Sequence, residues 1–366
     1  MNYDLAVFIG RFSIFHNGHY AVVKKALEQS QNVLILIGSA NQPRSHRNPF
    51  TFDERKQMVL DCFPEYLDRM FVLPIQDTRY NDTKWVENIQ KAVAETVTKI
   101  NITKTNKSPK ASIALIGHKK DHTSYYLKLF PQWDSIPVEN FYGLSSTPMR
   151  ETYFSNIGHL WVKNADGHVE GGNQKEHLIP TPVKNFLEQF IDTPGYKYVR
   201  EEYEFVTKYK IQWQNVPYPV IFTTVDSIVI QSANILLVKR KESPGRGLWA
   251  LPGGFINQDE TLEKAMLREL KEETKIKVPN AVLRGSIVTS RAFDDPNRSA
   301  RGRTITYGYL IKLNDELELS GIKKSNSEVE GGDDAAEAKW FPLAELDSNN
   351  MFEDHFEIIE YMKAYI

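Results

Sequence analysis

The chain has 366 residues, 41% hydrophobic and 25% charged. That globular composition excludes a disordered chain, a fibre or a disulfide scaffold and gives room for about two domains at roughly 150 residues each. Its 45 Lys and Arg against 47 Asp and Glu leave a net charge of −2, so no overall basic field draws it to nucleic acid or an anionic membrane, and phosphate binding must be built locally. A single cysteine, Cys62, and an opening MNYDLAVFIG without a leader's basic and long apolar regions predict a reducing, cytoplasmic setting. No apolar run approaches the ~18 residues of a membrane span.

In chain order, apolar β-type runs at Leu5–Ile9, Val33–Ile37, Phe71–Ile75 and Ser112–Ile116 alternate with amphipathic stretches at His19–Ser30, Asp53–Phe63 and Lys84–Ile100. The alternation predicts βαβ units, an α/β domain with a parallel sheet. After Arg150 the pattern weakens into a polar surface loop, Asn164–His177, and resumes with a helix near Pro182–Ile191. Pro and Gly at Thr193–Gly195 and Val216–Pro219 mark a boundary, giving domains at 1–191 and 218–366 and a linker at 192–217. Beyond it, Ile221–Ile230 and Ile235–Lys239 read as a strand pair, Thr261–Lys275 as a helix and Ile305–Leu313 as a strand, an α+β domain with a mixed sheet. Segment 320–334 reads as a mobile loop, and Phe352–Ile366 as a closing amphipathic helix.

The first strand runs into Gly10-Arg11-Phe12-Ser13-Ile14-Phe15-His16-Asn17-Gly18-His19 and then a helix. A strand-to-helix turn at a sheet's carboxyl edge is where doubly wound folds bind ligands. Gly10 and Gly18 allow close backbone approach, and His16 and His19, three apart at the helix start, can point together at an anion near the helix's positive end. Downstream, Ser145-Ser146-Thr147-Pro148-Met149-Arg150 forms a second N-terminal anion site, and two such sites imply a polyphosphate. Neither GxGxxG nor GxxxxGK[ST] occurs at this turn, which argues against a dehydrogenase or a P-loop enzyme.

GRFxxFHxGH followed by SSTxxR resembles the nucleotidyltransferase superfamily with the HxGH signature, over residues 1–190. Arg47-Asn48-Pro49-Phe50-Thr51 with Glu54-Arg55, and Trp85 on the segment after Asp77, resemble the substrate-contacting elements of the archaeal-type nicotinamide mononucleotide (NMN) adenylyltransferases. The resemblance implies a Rossmann-like domain in which the NMN phosphate attacks the α-phosphorus of ATP, giving NAD and pyrophosphate. It assigns ATP to Gly10, Arg11, Phe12, His16, His19, Ser145, Ser146, Thr147 and Arg150, and the mononucleotide to Arg47, Asn48 and Trp85. His16, His19 and Arg150 are the catalytic set, with Mg²⁺ bridging phosphate oxygens; such in-line transfer needs positioning and charge stabilisation, not a protein nucleophile. Trp85 can stack on the cationic nicotinamide ring or lie in the core. Lys119 and Asp121, after a strand at the ligand edge, are weaker candidates beside a solvated charge cluster.

In the second half, Gly254 is followed after five residues by Glu260 and after seven more by Arg268-Glu269-Leu270-Lys271-Glu272-Glu273. At 100° per residue with Leu262 at zero, Glu269, Glu272 and Glu273 fall at about 340°, 280° and 20°, one arc of roughly 100°. Leu262 and Met266 share that stripe, so the acids continue the helix's inward face and require a counterion, for which a hard divalent ion such as Mg²⁺ or Mn²⁺ is suited. The spacing resembles the Nudix box, GX5EX7REUXEEXGU, with Lys275 in place of the last glycine, a departure that touches the turn ending the helix. The resemblance implies metal-assisted hydrolysis of a nucleoside diphosphate linked to another group. Glu269, Glu272 and Glu273 would be metal ligands, Glu269 or a neighbouring glutamate the general base, Arg268 their organiser and Glu260 an outer partner. The SQPWPFPxS array of NADH-hydrolysing members is absent, whereas Phe293–Pro296 with Arg301 and Arg303 resembles the region ADP-ribose-directed members use.

Together the halves resemble the bacterial family that joins NMN adenylyltransferase to a Nudix ADP-ribose pyrophosphatase. ATP, NMN and ADP-ribose are the expected small-molecule partners, with no nucleic acid or membrane; the oligomeric state stays open. The alternatives are a Nudix unit acting on another nucleoside diphosphate derivative or binding ADP-ribose as a sensor, and an adenylyltransferase for a flavin or pantetheine phosphate.

Overall fold

The first apolar run becomes the centre of a parallel sheet. In the structure, a computed structural model describing residues 2–103, 111–118, 129–138, 144–155, 178–314 and 327–366, β1 (Tyr3–Gly10) pairs with β2 (Ser30–Ile37) from Tyr3–Ser30 to Gly10–Ile37. With β3 (Met70–Pro74), β4 (Ile113–His118) and β5 (Asp134–Val138) they make a five-stranded sheet in the order β3-β2-β1-β4-β5, all parallel. The order reverses beside β1, so the crevice beyond its carboxyl end, at Gly10, is the switch point where such sheets take ligands. β5 is a short addition to the expected strands: Asp134-Ser135-Ile136-Pro137-Val138 lacks a long apolar run, and its proline is tolerated because the strand lies at the sheet's edge.

Helices α1 (Asn17–Gln29), α2 (Phe52–Leu60), α3 (Asp82–Thr103), α4 (Ser146–Ser155) and α5 (Thr181–Phe190) accompany this sheet. The inward stripe of α3, Ile89, Val93 and Ile100, packs with Leu5, Val7, Leu34, Leu36 and Leu115 of the strands. The expected loop at 164–177 lies outside the described residues. Segment 192–217, expected as a linker, carries the 18-residue helix α6 (Pro194–Ile211), and the division into two units, Met1–Arg200 and Glu201–Ile366, falls within that helix. Its few Pro and Gly residues mark ends: Pro194 and Gly195 stand in the first turn, and Pro217 follows the last.

The second unit holds a mixed sheet in the order β10-β11-β6-β7-β12. It is built from β6 (Phe222–Gln231), β7 (Asn234–Arg240), β10 (Ile287–Phe293), β11 (Thr304–Lys312) and β12 (Ala335–Pro342). The short β8 (Trp249–Ala250) pairs with β7 and β9 (Gly253–Phe255) with β6. β6 and β11 are parallel, the other pairings antiparallel. Helix α7 (Leu262–Thr274) buries Ala265, Met266, Leu267 and Leu270 against Val225, Val229, Leu236, Tyr309 and Ile311. A short α8 (Asn280–Gly285) follows it, and α9 (His355–Met362) closes the unit.

Of the expected mobile loop at 320–334, residues 320–326 lie outside the described residues. The rest is bolted to the end of α7: Glu330 N donates to Thr274 O at 2.8 Å and Gly332 N to Glu273 O at 2.9 Å. Among the described residues no helix is long and apolar enough to cross a membrane.

Lys275 ends α7 in a left-handed conformation, φ 50° and ψ 24°, the backbone that the box glycine adopts without strain and a side chain disfavours. Lys275→Gly is expected to stabilise this unit by about 1 kcal/mol, read as a higher urea midpoint at unchanged m-value.

Candidate active sites

At the end of β1 the chain turns into α1, whose N-cap is His16. The cap is reciprocal: His16 Nδ1 accepts from the His19 amide at 3.3 Å, and His19 Nδ1 from the His16 amide at 3.4 Å. With both Nδ1 atoms acting as acceptors, each neutral ring carries its proton on Nε2, a donor suited to phosphate oxygen. The rings stack, centroids 3.7 Å apart. Gly18 makes room for this, since a Cβ there would stand 3.0 Å from the His16 ring. Gly10 likewise admits the buried Phe12 ring, 2.7 Å from where its Cβ would be. That ring packs on Phe8 and His19, so Phe12, expected at ATP, presents backbone rather than its ring to the crevice.

The second anion site stands beside the first. Ser146, opening α4, donates from Oγ to Ile14 O at 3.0 Å, with half-buried Ser145 and exposed Thr147 on either side. Arg150 donates to Arg47 O at 3.1 Å. Burial holds the Arg150 guanidinium down to about 10, and Arg11 and Arg47 push the same way. Three guanidinium groups gathered in this manner form a local positive field in a chain of near-zero net charge.

Other residues of the expected mononucleotide elements make contacts within the fold. Arg55 is fully buried and donates to Arg11 O and Gly38 O, both at 2.8 Å, and to Ser39 O at 2.9 Å. It braces the phosphate loop against the end of β2, and burial lowers its pKa to about 10. Asp77 accepts from the Ser39 amide at 3.1 Å and hydroxyl at 2.5 Å. Glu54 closes a capping box with Thr51 and pairs with Arg44 at 2.8 Å. Asn48 donates its side-chain amide to Ser39 O and Gln42 O at 3.3 and 3.4 Å. Trp85 is half-buried against the core, 6.2 Å from Phe130 between ring centroids. Lys119 and Asp121 lie outside the described residues.

In the second unit Arg268 is the hub. It donates to Glu260 at 2.6 and 3.1 Å, to Glu269 at 2.7 Å, to Glu272 at 2.9 Å and to Phe255 O at 3.2 Å. These bonds hold Glu260 below the usual carboxylate range and push Arg268 above its own. The double glycine supplies the opposing wall. A Cβ on Gly254 would stand 2.7 Å from the Glu269 carboxylate, and one on Gly253 would strike Val225 O at 2.0 Å. The Gly253 amide donates to Glu273 Oε2 at 2.9 Å. Burial pushes Glu273 up to about 8 despite that bond, with Glu269 and Asp226 adding repulsion, and burial also raises Glu269.

Among the described residues no three Asp, Glu, His or Cys side chains are already drawn into a cation-holding cluster, because Arg268 bonds Glu269 and Glu272 while Glu273 turns to the backbone. The donor chemistry nevertheless fits a hard divalent cation: three carboxylates share one helix face, and burial with Glu269 and Asp226 raises the most buried, Glu273, more than Arg240 lowers it.

Arg301 and Arg303 part company. Arg303 turns back to Asp294, bonding its carbonyl and standing 3.7 Å from its carboxylate. Arg301 lies over the Phe255 ring at 5.1 Å, its Nε buried without a hydrogen-bond partner. Arg240, which no motif marks, joins it: its guanidinium stacks on Phe352 at 4.1 Å, and burial and Arg301 lower its pKa while Glu273 raises it. The available signal was an arginine closing an apolar strand.

Comparison with known proteins matches each unit. The cytidylyltransferase-like family model covers residues 7–151 and the NUDIX domain model residues 222–362. A nicotinamide/nicotinic acid mononucleotide adenylyltransferase of Acinetobacter baylyi is 36% identical over 203 residues, 55% of this chain and 94% of the relative. An ADP-ribose pyrophosphatase of Methanocaldococcus jannaschii is 37% identical over 140 residues, 38% of this chain and 72% of the relative. The crystal structure of a bifunctional NMN adenylyltransferase/ADP-ribose pyrophosphatase from Francisella tularensis, complexed with AMP and a manganese ion, is 34% identical, covers 99% of both chains and has a TM-score of 0.83.

Gly254→Ala would place a methyl group 2.7 Å from the Glu269 carboxylate, which can swing aside only by leaving its place. Mn²⁺ affinity measured by calorimetry is expected to fall about tenfold or more, with little change in the urea midpoint because the displaced atoms end a flexible side chain.

Proposed function

The chain belongs to the family of bifunctional NMN adenylyltransferase/ADP-ribose pyrophosphatases, and on that premise we propose that one unit makes NAD while the other removes ADP-ribose. In the first, a phosphate oxygen of NMN attacks the α-phosphorus of ATP, the bond to the bridging oxygen breaks and pyrophosphate leaves. The observation that supports this most strongly is the convergence of the HxGH cap with Arg11, Arg47 and Arg150 at the switch point of the parallel sheet.

His16 and His19 would donate Nε2–H to phosphate oxygens, and Arg150 and Arg11 would offset the charge that builds up on the departing pyrophosphate. The N-terminal ends of α1 and α4 add backbone dipoles of the same sign. Ser145, Ser146 and Thr147 would line the ATP phosphates, Gly10 and the Phe12 backbone would allow their close approach, and Arg47 would meet the mononucleotide's phosphate. Asn48 would shape that pocket, and the part of Trp85 left outside the core would stack on the nicotinamide ring.

In the second unit the hydrolysis depends on a divalent metal, and ADP-ribose would be cleaved between its phosphates to AMP and ribose 5-phosphate. Glu269, Glu272 and Glu273 would hold the ion, Mg²⁺ or Mn²⁺, which when bound acidifies water and screens the pyrophosphate. Glu269 would accept the proton of the attacking water, Arg268 would keep the carboxylates on one side, and Arg301, with Arg303 at the rim, would contact the substrate beyond the pyrophosphate. A cytoplasmic setting, where these nucleotides occur together, suits both reactions.

The test uses the full chain with Mg²⁺, supplied either with ATP and NMN or with ADP-ribose, NADH and a dinucleoside polyphosphate in parallel, products being resolved chromatographically. NAD and pyrophosphate should form from the first mixture, and AMP should appear fastest from ADP-ribose in the second. His19→Ala should lower NAD formation by about 100-fold or more and leave hydrolysis intact; near-normal NAD formation in that variant would refute the transferase assignment. Glu273→Gln should do the reverse, and an unchanged hydrolysis rate and metal dependence would refute its ligand role.

A further inference from the structure

The turn Leu251-Pro252-Gly253-Gly254 that receives Glu269 and Glu273 is held from behind by buried polar residues outside the Nudix box. His355, at the start of α9, accepts from the Leu251 amide through Nδ1 at 2.8 Å. Pro252 has no N–H, and its carbonyl accepts from the Ser227 amide at 2.8 Å. Asp226 stands opposite Gly253 in the β6–β9 register. It accepts from Thr306 Oγ1 at 2.6 Å and faces His355 Nε2 at 4.0 Å. Arg298 grips Asp354 through two hydrogen bonds of 3.0 Å and reaches to 3.8 Å from Asp226. His355, Asp354, Arg298, Asp226 and Thr306 are all buried.

Charged groups at such depth return little net stability over apolar packing of the same volume. What they provide here is direction. An apolar side chain in place of His355 could fill its space but could not accept from the Leu251 amide, the last N–H before Gly253. Two contacts leave little tolerance for movement of that turn: the Glu269 carboxylate within 2.7 Å of the Gly254 Cβ position, and the 2.9 Å bond from Gly253 to Glu273. Burial keeps His355 neutral, as an accepting Nδ1 requires.

We propose that His355, backed by Asp226 and the Arg298–Asp354 pair, is a positioning residue of the hydrolytic site, setting the height of the 251–254 turn against α7 and thereby the places of Glu269 and Glu273. It touches neither substrate nor cation. The inference rests on the reading of those glutamates as ligands of a divalent ion, and its test therefore includes cation binding without substrate.

Mn²⁺ binding to the full chain, without nucleotide, is followed by electron paramagnetic resonance of the free ion for the wild type, His355→Leu and His355→Asn. Leu keeps the bulk and loses the acceptor; Asn restores an acceptor oxygen near the position of Nδ1. The expected result is about a tenfold weaker Mn²⁺ affinity in His355→Leu, a matching rise in the Mn²⁺ needed for half-maximal release of AMP from ADP-ribose, and recovery of most of both in His355→Asn. NAD formation by the other unit should be unchanged in each variant. If His355→Leu does not fold, Thr306→Val, which removes only the hydroxyl behind Asp226, should weaken Mn²⁺ binding in the same direction by about threefold.

Wild-type Mn²⁺ affinity in His355→Leu, or equal losses in Leu and Asn that track their melting temperatures, would overturn the proposal. Weakened Mn²⁺ binding restored by Asn, in a chain that does not hydrolyse ADP-ribose, would uphold the positioning role and overturn the substrate assignment instead.

Discussion

The hydrogen bond from the Gly253 amide to Glu273 keeps a carboxyl buried beside Glu269 and Asp226, a place where like charges would otherwise drive the side chain out to water. The rest of the hydrolytic unit follows from that constraint. Glycine is required at 253 because Val225 O lies where its Cβ would be, and at 254 because the Glu269 carboxylate does. Arg268 is required because, alone among the described residues, it spans Glu260, Glu269 and Glu272. An acidic face held in this way is poised for a divalent ion and is costly without one, so the surrounding fold must be stiff enough to prevent its relaxing into a surface helix.

The transferase unit solves the inverse problem with the inverse charge. Burial, with Arg11 and Arg47 close by, lowers the proton affinity of Arg150, and Arg55, a fourth cation, is committed to backbone carbonyls of the crevice wall. The histidines differ from these cations in what they offer: their Nδ1 atoms are committed to the helix cap as acceptors. A cap that would ordinarily be made by Ser or Asp here places two Nε2–H groups at the helix's positive end.

The architecture was legible where apolar period and glycine spacing carried it. The βαβ alternation, the HxGH turn and the face shared by Glu269, Glu272 and Glu273 follow from periods of two and 3.6 residues. α6 was not legible as a helix because its charged and aromatic residues form no clean apolar stripe and Pro and Gly bracket it. Nor did motif spacing separate ligand contacts from the walls behind them. Arg55 and Arg47 read alike along the chain, yet one is sealed in the fold and the other joins the cation cluster. Asp226 carried a faint signal, an acid inside the apolar run Phe222–Gln231; His355, 82 residues beyond Glu273, carried none, because its meaning arises only when α9 folds back on Leu251.

The near-zero net charge conceals both sites. A cluster of arginines at one site and a cluster of glutamates at the other cancel in the sum while each remains strong over a Debye length of about 8 Å. Each site carries its own local field, positive at the arginine-lined crevice of the first unit and negative at the carboxylate face of the second. Raising ionic strength should thus bear on the two in different ways, screening a direct attraction in one and the capture of a cation in the other.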